Sequence, residues 1–414
     1  MKRILLFLLI ALLALPLLGR SFTGRPMMFA GSYMMRAHGS EANYWNPALL
    51  SFDRRDFWWP LLDTGMLMSN NTFDLDFYNR IMEKGQISKE DKDLLIKQME
   101  GSLRLNMLSQ VSLLGFNLGG VALSSSFHSY NKAALSENYL KLLLYGNEED
   151  EYLFSNKHNN LASLSFADVT VGMGDLLLPL PEEYPQIKFG WSASFLLGLH
   201  EMKTTRFDGV LRSDFDGLHL DQDIVLRKGL GGFGFKGMIG FAGNVAENLE
   251  VGLTLDNILG NIQWVLGKEE THYRVVADSV YIADLENAYF STEQEDFKIE
   301  SYNTRFPMEL GLGALYDAKM VSLSADFRQG FGESPLTSKT PSFSFGAEFK
   351  QLDFMPIRIG FSTGNSIAPW RVAYSLGFRV KPVELSLGMQ SIQSLFPGYK
   401  TKGLSFGLSF RTGI

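Results

Sequence analysis

The side chains best suited to general-base catalysis and metal ligation are six histidines, His38, His128, His158, His200, His219 and His272. No two of them stand at His-x-x-x-His or another ligand spacing, so no metal site is read from them. The acidic run Glu148, Glu149, Asp150 and Glu151 lacks the Asp-x-Asp-x-Asp-Gly order of a calcium loop and reads as a solvated turn. No nucleophile elbow is assigned and no Ser–His pair is nominated, so the chain is read as a non-enzyme that needs no cofactor. The absence of Cys removes disulfides, thiolate metal sites, a Cys nucleophile and a lipid on an N-terminal Cys. What stands out instead is a set of charges near the C-terminus, Glu348, Arg358, Arg379 and Glu384. On neighbouring strands, facing a shielded interior, such charges pair with one another.

The elements that carry them alternate with a period of two. Val321, Leu323, Ala325 and Phe327 mark one strand face, and Phe343, Phe345, Ala347 and Phe349 mark the next. The pattern continues over 357–361, 372–380, 383–389 and 404–410. Between the apolar positions lie Ser322, Ser324, Ser344, Gly346, Gly360, Ser375, Ser386 and Gly388, together with the four charges. Water-exposed strand faces usually carry Thr, Lys and Glu, so a face of Gly and Ser reads as a crowded concave side. A secreted β-sandwich also alternates, core on one face and solvent on the other, and is the competing architecture. Segments 111–127, 161–173, 187–201 and 249–255 follow the plan less regularly. The run Gly229, Gly231, Gly232, Gly234, Gly237 and Gly240 permits a bend or bulge.

Of 414 residues, 45% are hydrophobic and 20% charged, and the formal charge of −7 argues against nucleic acid as a partner, since phosphate binding needs a basic surface. Residues 1–20 read as a secretory signal, with Lys2 and Arg3 before an apolar run over 4–18 that is shorter than the ~20 residues of a comfortable membrane span. No later stretch reads as a membrane helix, so insertion must use strands closed into a barrel. The expectation is an all-β chain, a transmembrane antiparallel β-barrel over 61–414 in the outer membrane of a Gram-negative bacterium, in contact with its lipid. One helix interrupts the strands near 88–100, where Ser88 and Asp91 form a capping pair and Leu94, Leu95, Ile96 and Met99 recur before Gly101. It lies either outside the membrane or inside the lumen. Acidic loops are expected near 146–158 and 268–304.

The segment Gly39-Ser-Glu-Ala-Asn-Tyr-Trp-Asn-Pro-Ala48, with its core Asn46-Pro47-Ala48, resembles the N-terminal hatch of the FadL-like outer-membrane barrels, a group that includes PorV-type and TraF-like proteins. Leu255-Asp-Asn-Ile-Leu-Gly-Asn-Ile-Gln-Trp264 and the strands after Phe306 are similar to the same group. The resemblance implies about 14 strands and a hatch within 21–60. It also implies a barrel that binds or transports a hydrophobic or amphipathic small molecule. The alternative is a non-transporting barrel that serves as a secretion, assembly or surface-attachment partner. Thr401–Phe410 resembles the terminal strand read by the barrel-assembly machinery, although this chain ends in Arg411-Thr-Gly-Ile414 rather than an aromatic residue. If the apolar faces meet lipid, Glu348, Arg358, Arg379 and Glu384 form a lumen network. An apolar ligand surface is then sought in the irregular first half, at Phe116, Phe127, Trp191 and Phe195.

Overall fold

The computed structural model describes residues 24–51, 58–84, 87–146, 151–181, 185–214, 217–280, 290–334, 337–364 and 368–413. The signal read over 1–20, and Glu148, Glu149 and Asp150 of the acidic run, lie outside them. Among the described residues, nineteen strand segments join in one antiparallel sheet. Five of their junctions are interruptions within a single pass, so the wall has fourteen staves.

In chain order these are β1 (Trp58–Asn70), β2 (Ser102–Leu118), β3 (Val121–Ser136), β4 (Glu151–Ser155 and Asn160–Leu177) and β5 (Ile187–Asp214). Three interrupted staves follow: β6 (Gly217–Gly229 and Gly231–Ala246), β7 (Leu249–Leu266 and Glu269–Val280) and β8 (Phe290–Lys298, Tyr302–Arg305 and Glu309–Asp317). The last six are regular: β9 (Val321–Gly330), β10 (Ser342–Phe349), β11 (Ile357–Thr363), β12 (Trp370–Val380), β13 (Val383–Ile392) and β14 (Gly403–Gly413). β1 pairs with β2 on one side and with β14 on the other, from Trp58↔Gly413 to Ser69↔Gly403. The wall therefore closes and no edge is left to recruit another strand.

Period-two alternation sorts the side chains. Phe345 is 51% exposed and Leu387 58%, whereas inward Ser405 is 0% and Arg358 1% exposed. An apolar outside and a polar inside invert the soluble sandwich and match a lipid-facing barrel. Turns at one end are short, as between β2 and β3 or β12 and β13, and this is the periplasmic end of such barrels. The other end rises far. β5 has 28 residues, where a tilted spanning strand needs about 9–11, so its upper half stands outside the membrane.

The acidic excursion expected as a loop over 268–304 is largely a paired extension of this kind. Glu269↔Lys298 to Ala277↔Phe290 continue the ladder between β7 and β8. The glycine-rich stretch of β6 carries register shifts against β7 at Gly231/Gly232, Phe235/Gly237 and Gly237/Ile239. A Cβ on Gly234 would stand 1.8 Å from the Asn261 carbonyl oxygen, so the bent wall requires glycine there. In β7, Asn257 and Leu259 take left-handed φ of 55° and 56°. The β7–β8 ladder breaks at that point, between Asp256↔Glu309 and Asn261↔Arg305.

Short helices complete the chain. α1 (Gly24–Met28) and α2 (Ala42–Trp45) precede the barrel. Between β1 and β2 lie α3 (Leu75–Lys84) and α4 (Lys89–Met99), and α5 (Glu137–Tyr145) follows β3. α4 is the helix expected near 88–100. Ser88 Oγ accepts from the Asp91 amide at 3.1 Å, and Glu100 and Gly101 end the helix with φ of 51° and 92°. It sits at the outer rim rather than in the lumen, joined to α5 through Lys92 to the Leu144 carbonyl and Tyr145 to Asp93. α3 and α5 are additional to the single helix expected, being short pieces held by their neighbours rather than by a long apolar repeat.

Candidate functional site

Asn46 is fully buried and extended, with φ −156° and ψ 101°, the conformation a following proline imposes. Its Oδ1 accepts from the Ala48 amide at 3.1 Å and caps the 3-10 turn Pro47–Leu49, while its Nδ2 donates to the Phe241 carbonyl of β6 at 3.1 Å. One side chain thus ties the turn to the wall. Asn43 repeats the device, its Nδ2 donating to Ser124 Oγ at 2.9 Å and its carbonyl accepting from Ser192 Oγ at 2.8 Å. Glycines make room for this approach. A Cβ on Gly174 would lie 1.9 Å from the Pro47 carbonyl oxygen, and one on Gly240 would lie 2.1 Å from Asn46 Oδ1. The opposite wall holds the earlier half of the segment. Asp326 accepts from the Tyr33 and Met34 amides at 2.8 Å each, Arg371 donates to the Ala30 carbonyl at 3.1 Å, and Gln390 donates to the Met27 carbonyl at 2.6 Å. Residues 24–51 are therefore bonded across the lumen as a floor.

The four charges anticipated from the strand pattern come together beside α1. Arg358 Nε lies 2.6 Å from Glu348, and its Nη2 lies 2.8 Å from Glu384. Arg379 reaches Glu384 at 3.0 Å. Two further arginines join that the sequence reading missed, Arg25 of the hatch at 3.3 Å and Arg411 of β14 at 3.6 Å from Glu384. Arg411 also approaches Glu41 at 3.6 Å. Burying so many charges is compensated by this mutual pairing and by Ser386, which accepts from Arg358 and donates to Glu384, so the cluster depends on hatch and wall being present together.

Above the floor, toward the outer end, the inward positions change character. Leu67, Tyr130, Phe166, Leu196, Trp264 and Phe306 form one apolar cluster across β1, β3, β4, β5, β7 and β8, each no more than 3% exposed. The boundary with the polar floor is sharp. On β4, Phe166 stacks on His128 at 4.6 Å, and two residues lower Asp168 accepts from His128 Nε2 at 2.6 Å and from the Tyr44 hydroxyl of the hatch. Lower still, where the β1–β2 ladder stops at Asp63↔Ser112, a cavity of about 20 Å³ between Glu41, Trp45, Asp63 and Gln110 has room for a single water.

The apolar ligand surface expected at Phe116, Phe127, Trp191 and Phe195 is corrected by this geometry. All four stand on the outward face of their strands. Phe116, Trp191 and Phe195 are 41%, 38% and 44% exposed, Phe127 shares the outward face of Leu123, and Phe195 packs on outward Phe235 at 5.4 Å. In a membrane barrel the large aromatic side of a strand is the lipid side. The inward apolar residues had a different signal, runs with no polar interval such as Met66-Leu67-Met68, Phe195-Leu196-Leu197 and Trp264-Val265-Leu266, where both faces are apolar at once. The letters Gly-x-Ser-x-Gly do occur, at Gly360–Gly364 and Gly403–Gly407, but Ser362 and Ser405 are inward residues of strands β11 and β14, and a nucleophile elbow needs a strand-to-helix turn.

No protein-family model and no curated protein matches the sequence. Solved structures do match in fold. The toluene transporter TbuX of Ralstonia pickettii aligns over 91% of this chain and 94% of its own at 11% identity and a TM-score of 0.51. The toluene transporter TodX of P. putida aligns over the same shares at 11% identity and 0.50. A Pseudomonas aeruginosa FadL homologue aligns over 96% and 98% at 11% identity and 0.50. A closed barrel of fourteen staves, apolar outside, with its N-terminal segment bonded across the lumen, has the fold of the FadL-like outer-membrane barrels.

Proposed function

We propose that this barrel takes up a hydrophobic or amphipathic small molecule from the outer side, holds it in the apolar layer of its lumen, and releases it inward when the hatch loosens. The layer itself carries the reading. In a wall whose outward face meets lipid, inward aromatic and branched side chains serve nothing outside the lumen, and a channel for ions or polar solutes has polar residues there. Apolar walls with few polar groups are what a hydrophobic guest requires. Because the cluster is closed on itself, a guest exchanges contacts with Trp264, Phe166 and Phe306 rather than filling an existing void. The toluene transporters among the similar folds support an apolar cargo. Outward residues such as Phe345 and Leu387 contact outer-membrane lipid, and the barrel-assembly machinery is the partner during insertion.

Mass spectrometry of what stays bound after gentle detergent extraction tests this, with the native chain beside an Asn46→Ala, Pro47→Ala variant. The expected result is a stoichiometric apolar compound whose occupancy changes in the variant. A stable protein partner with no small molecule in either sample would instead favour a secretion or surface-attachment role.

A further inference from the structure

The outer turn between β13 and β14 folds back over the outward face of the wall. Ser391 of β13 and Val372 of β12 are register partners on the face that carries Leu376 and Leu387, yet they are only 0% and 6% exposed. The turn covers Ser391, whose hydroxyl donates to the Phe396 carbonyl at 3.0 Å. Lower on the same face, the Tyr374 hydroxyl donates to the Leu395 carbonyl at 2.6 Å, and the Tyr374 ring stacks on Phe396 at 6.1 Å. β12 has 11 residues, where a tilted spanning strand needs about 9–11, and Tyr374 lies two outward positions below Trp370 at its outer end. The turn therefore sits beside the membrane-spanning part of the wall rather than above it.

Its side chains and its backbone both suit that place. Leu395 is 63% and Phe396 70% exposed, and Tyr399 is exposed beside them. Irregular backbone is excluded from hydrocarbon unless the protein itself meets its polar groups. Here the Leu395 carbonyl accepts from Tyr374, and the Phe396 carbonyl accepts from Ser391 and from Ser394. The Gly398 and Tyr399 carbonyls accept from the amides of Thr401 and Asp76, and Pro397 has no N–H to satisfy. A turn lying in water gets such bonds from solvent. Large apolar tips on a backbone satisfied from within are what a segment in lipid requires.

We propose that residues 395–399 form a hook set among the acyl chains of the outer leaflet, with Lys400, exposed directly after them, at the level of the lipid phosphates. The occupant is lipid because the surface is continuous with the lipid-facing side of β12 and β13 and is bordered by a cation at its outer edge. The Asp76 amide, bonded to the Tyr399 carbonyl at 2.8 Å, ties the hook to α3, whose Leu75 and Tyr78 stand three apart on one face and are exposed as well. The hook thereby holds the start of α3 at the membrane surface.

Because the chain has no cysteine, one introduced cysteine carries a spin label without background. Leu395→Cys and Phe396→Cys are compared with Leu387→Cys on the lipid face and Glu90→Cys on α4, each as the full chain in phosphatidylethanolamine–phosphatidylglycerol vesicles. All four side chains are exposed, so none of the substitutions removes core packing. Collisions of the label with oxygen, which concentrates in lipid, are measured against collisions with a water-soluble nickel chelate. The expected oxygen-to-nickel ratio at 395 and 396 is close to that of Leu387→Cys and several-fold above that of Glu90→Cys. A ratio at both sites as low as that of Glu90→Cys puts the turn in water and overturns the proposal. Labels shielded from both reagents, with dipolar broadening between molecules, make the surface a contact between two copies of this chain and overturn it as well.

Discussion

Replacing Asn46 by alanine removes two bonds of different kinds, the cap on the Pro47–Leu49 turn and the tie to the Phe241 carbonyl. Both partners are interior, so each is left without a replacement from water. The expected loss is about 1–3 kcal/mol in the seating of the hatch, read as faster cleavage of residues 24–51 by a protease added from the periplasmic side. Glu384 is the more severe position, because four arginines lie within 3.6 Å of its carboxylate. Glu384→Gln keeps the shape and removes the charge those cations share. About 3–5 kcal/mol of barrel stability should go with it, measured as a lower midpoint in heat-modifiable gel mobility. Neutralising the partners tests the same network from the other side: neutral substitution of Arg358 and Arg379 together that left stability and assembly unchanged would refute its importance.

At the scale of the element, the last six staves were legible in the sequence because two different environments write two different letters. Lipid selects Phe, Leu and Ile outside, and a crowded lumen selects Ser, Gly and paired charges inside, so β9 to β14 alternate cleanly. That same contrast located Glu348, Arg358, Arg379 and Glu384 on one face. It failed in the first half because the contrast itself vanishes there. Where Leu67, Leu196 and Trp264 line an apolar lumen, both faces of the strand are apolar, and period-two reading has nothing to distinguish. The conspicuous aromatics Trp191 and Phe195 then drew attention to the lipid side. The arginines Arg25 and Arg411 were invisible for another reason, since their partners are remote in sequence and meet only when the barrel closes. An experiment separates the two faces directly. Trp264→Ala should abolish retention of an apolar ligand and lower stability by about 3–5 kcal/mol, whereas Phe195→Ala should leave retention intact, both followed by the mass of the extracted complex.

Taken as a whole, the molecule is a wall with a floor fastened to opposite sides. Ser32 Oγ and Ser324 Oγ lie 2.8 Å apart across that junction, and the chain has no cysteine of its own. A Ser32→Cys, Ser324→Cys pair therefore allows the floor to be locked by oxidation and released by reduction. Locked protein is expected to bind ligand at the outer end yet deliver none to the periplasm, with delivery restored by reductant in a liposome uptake assay. Uptake indifferent to oxidation would show that cargo leaves by some way other than past the hatch.

The fastening also sets a chronology. Residues 24–51 come before β1 in the chain but rest on partners contributed by β3 to β6 and by β9 to β14. All of that seat lies later in the chain than the segment, and once β1 pairs with β14 the lumen is closed around whatever it contains. The hatch is thus a cork cut to fit a cask that has not been hooped. One strand, β14, both completes the seat through Arg411 and closes the wall against β1.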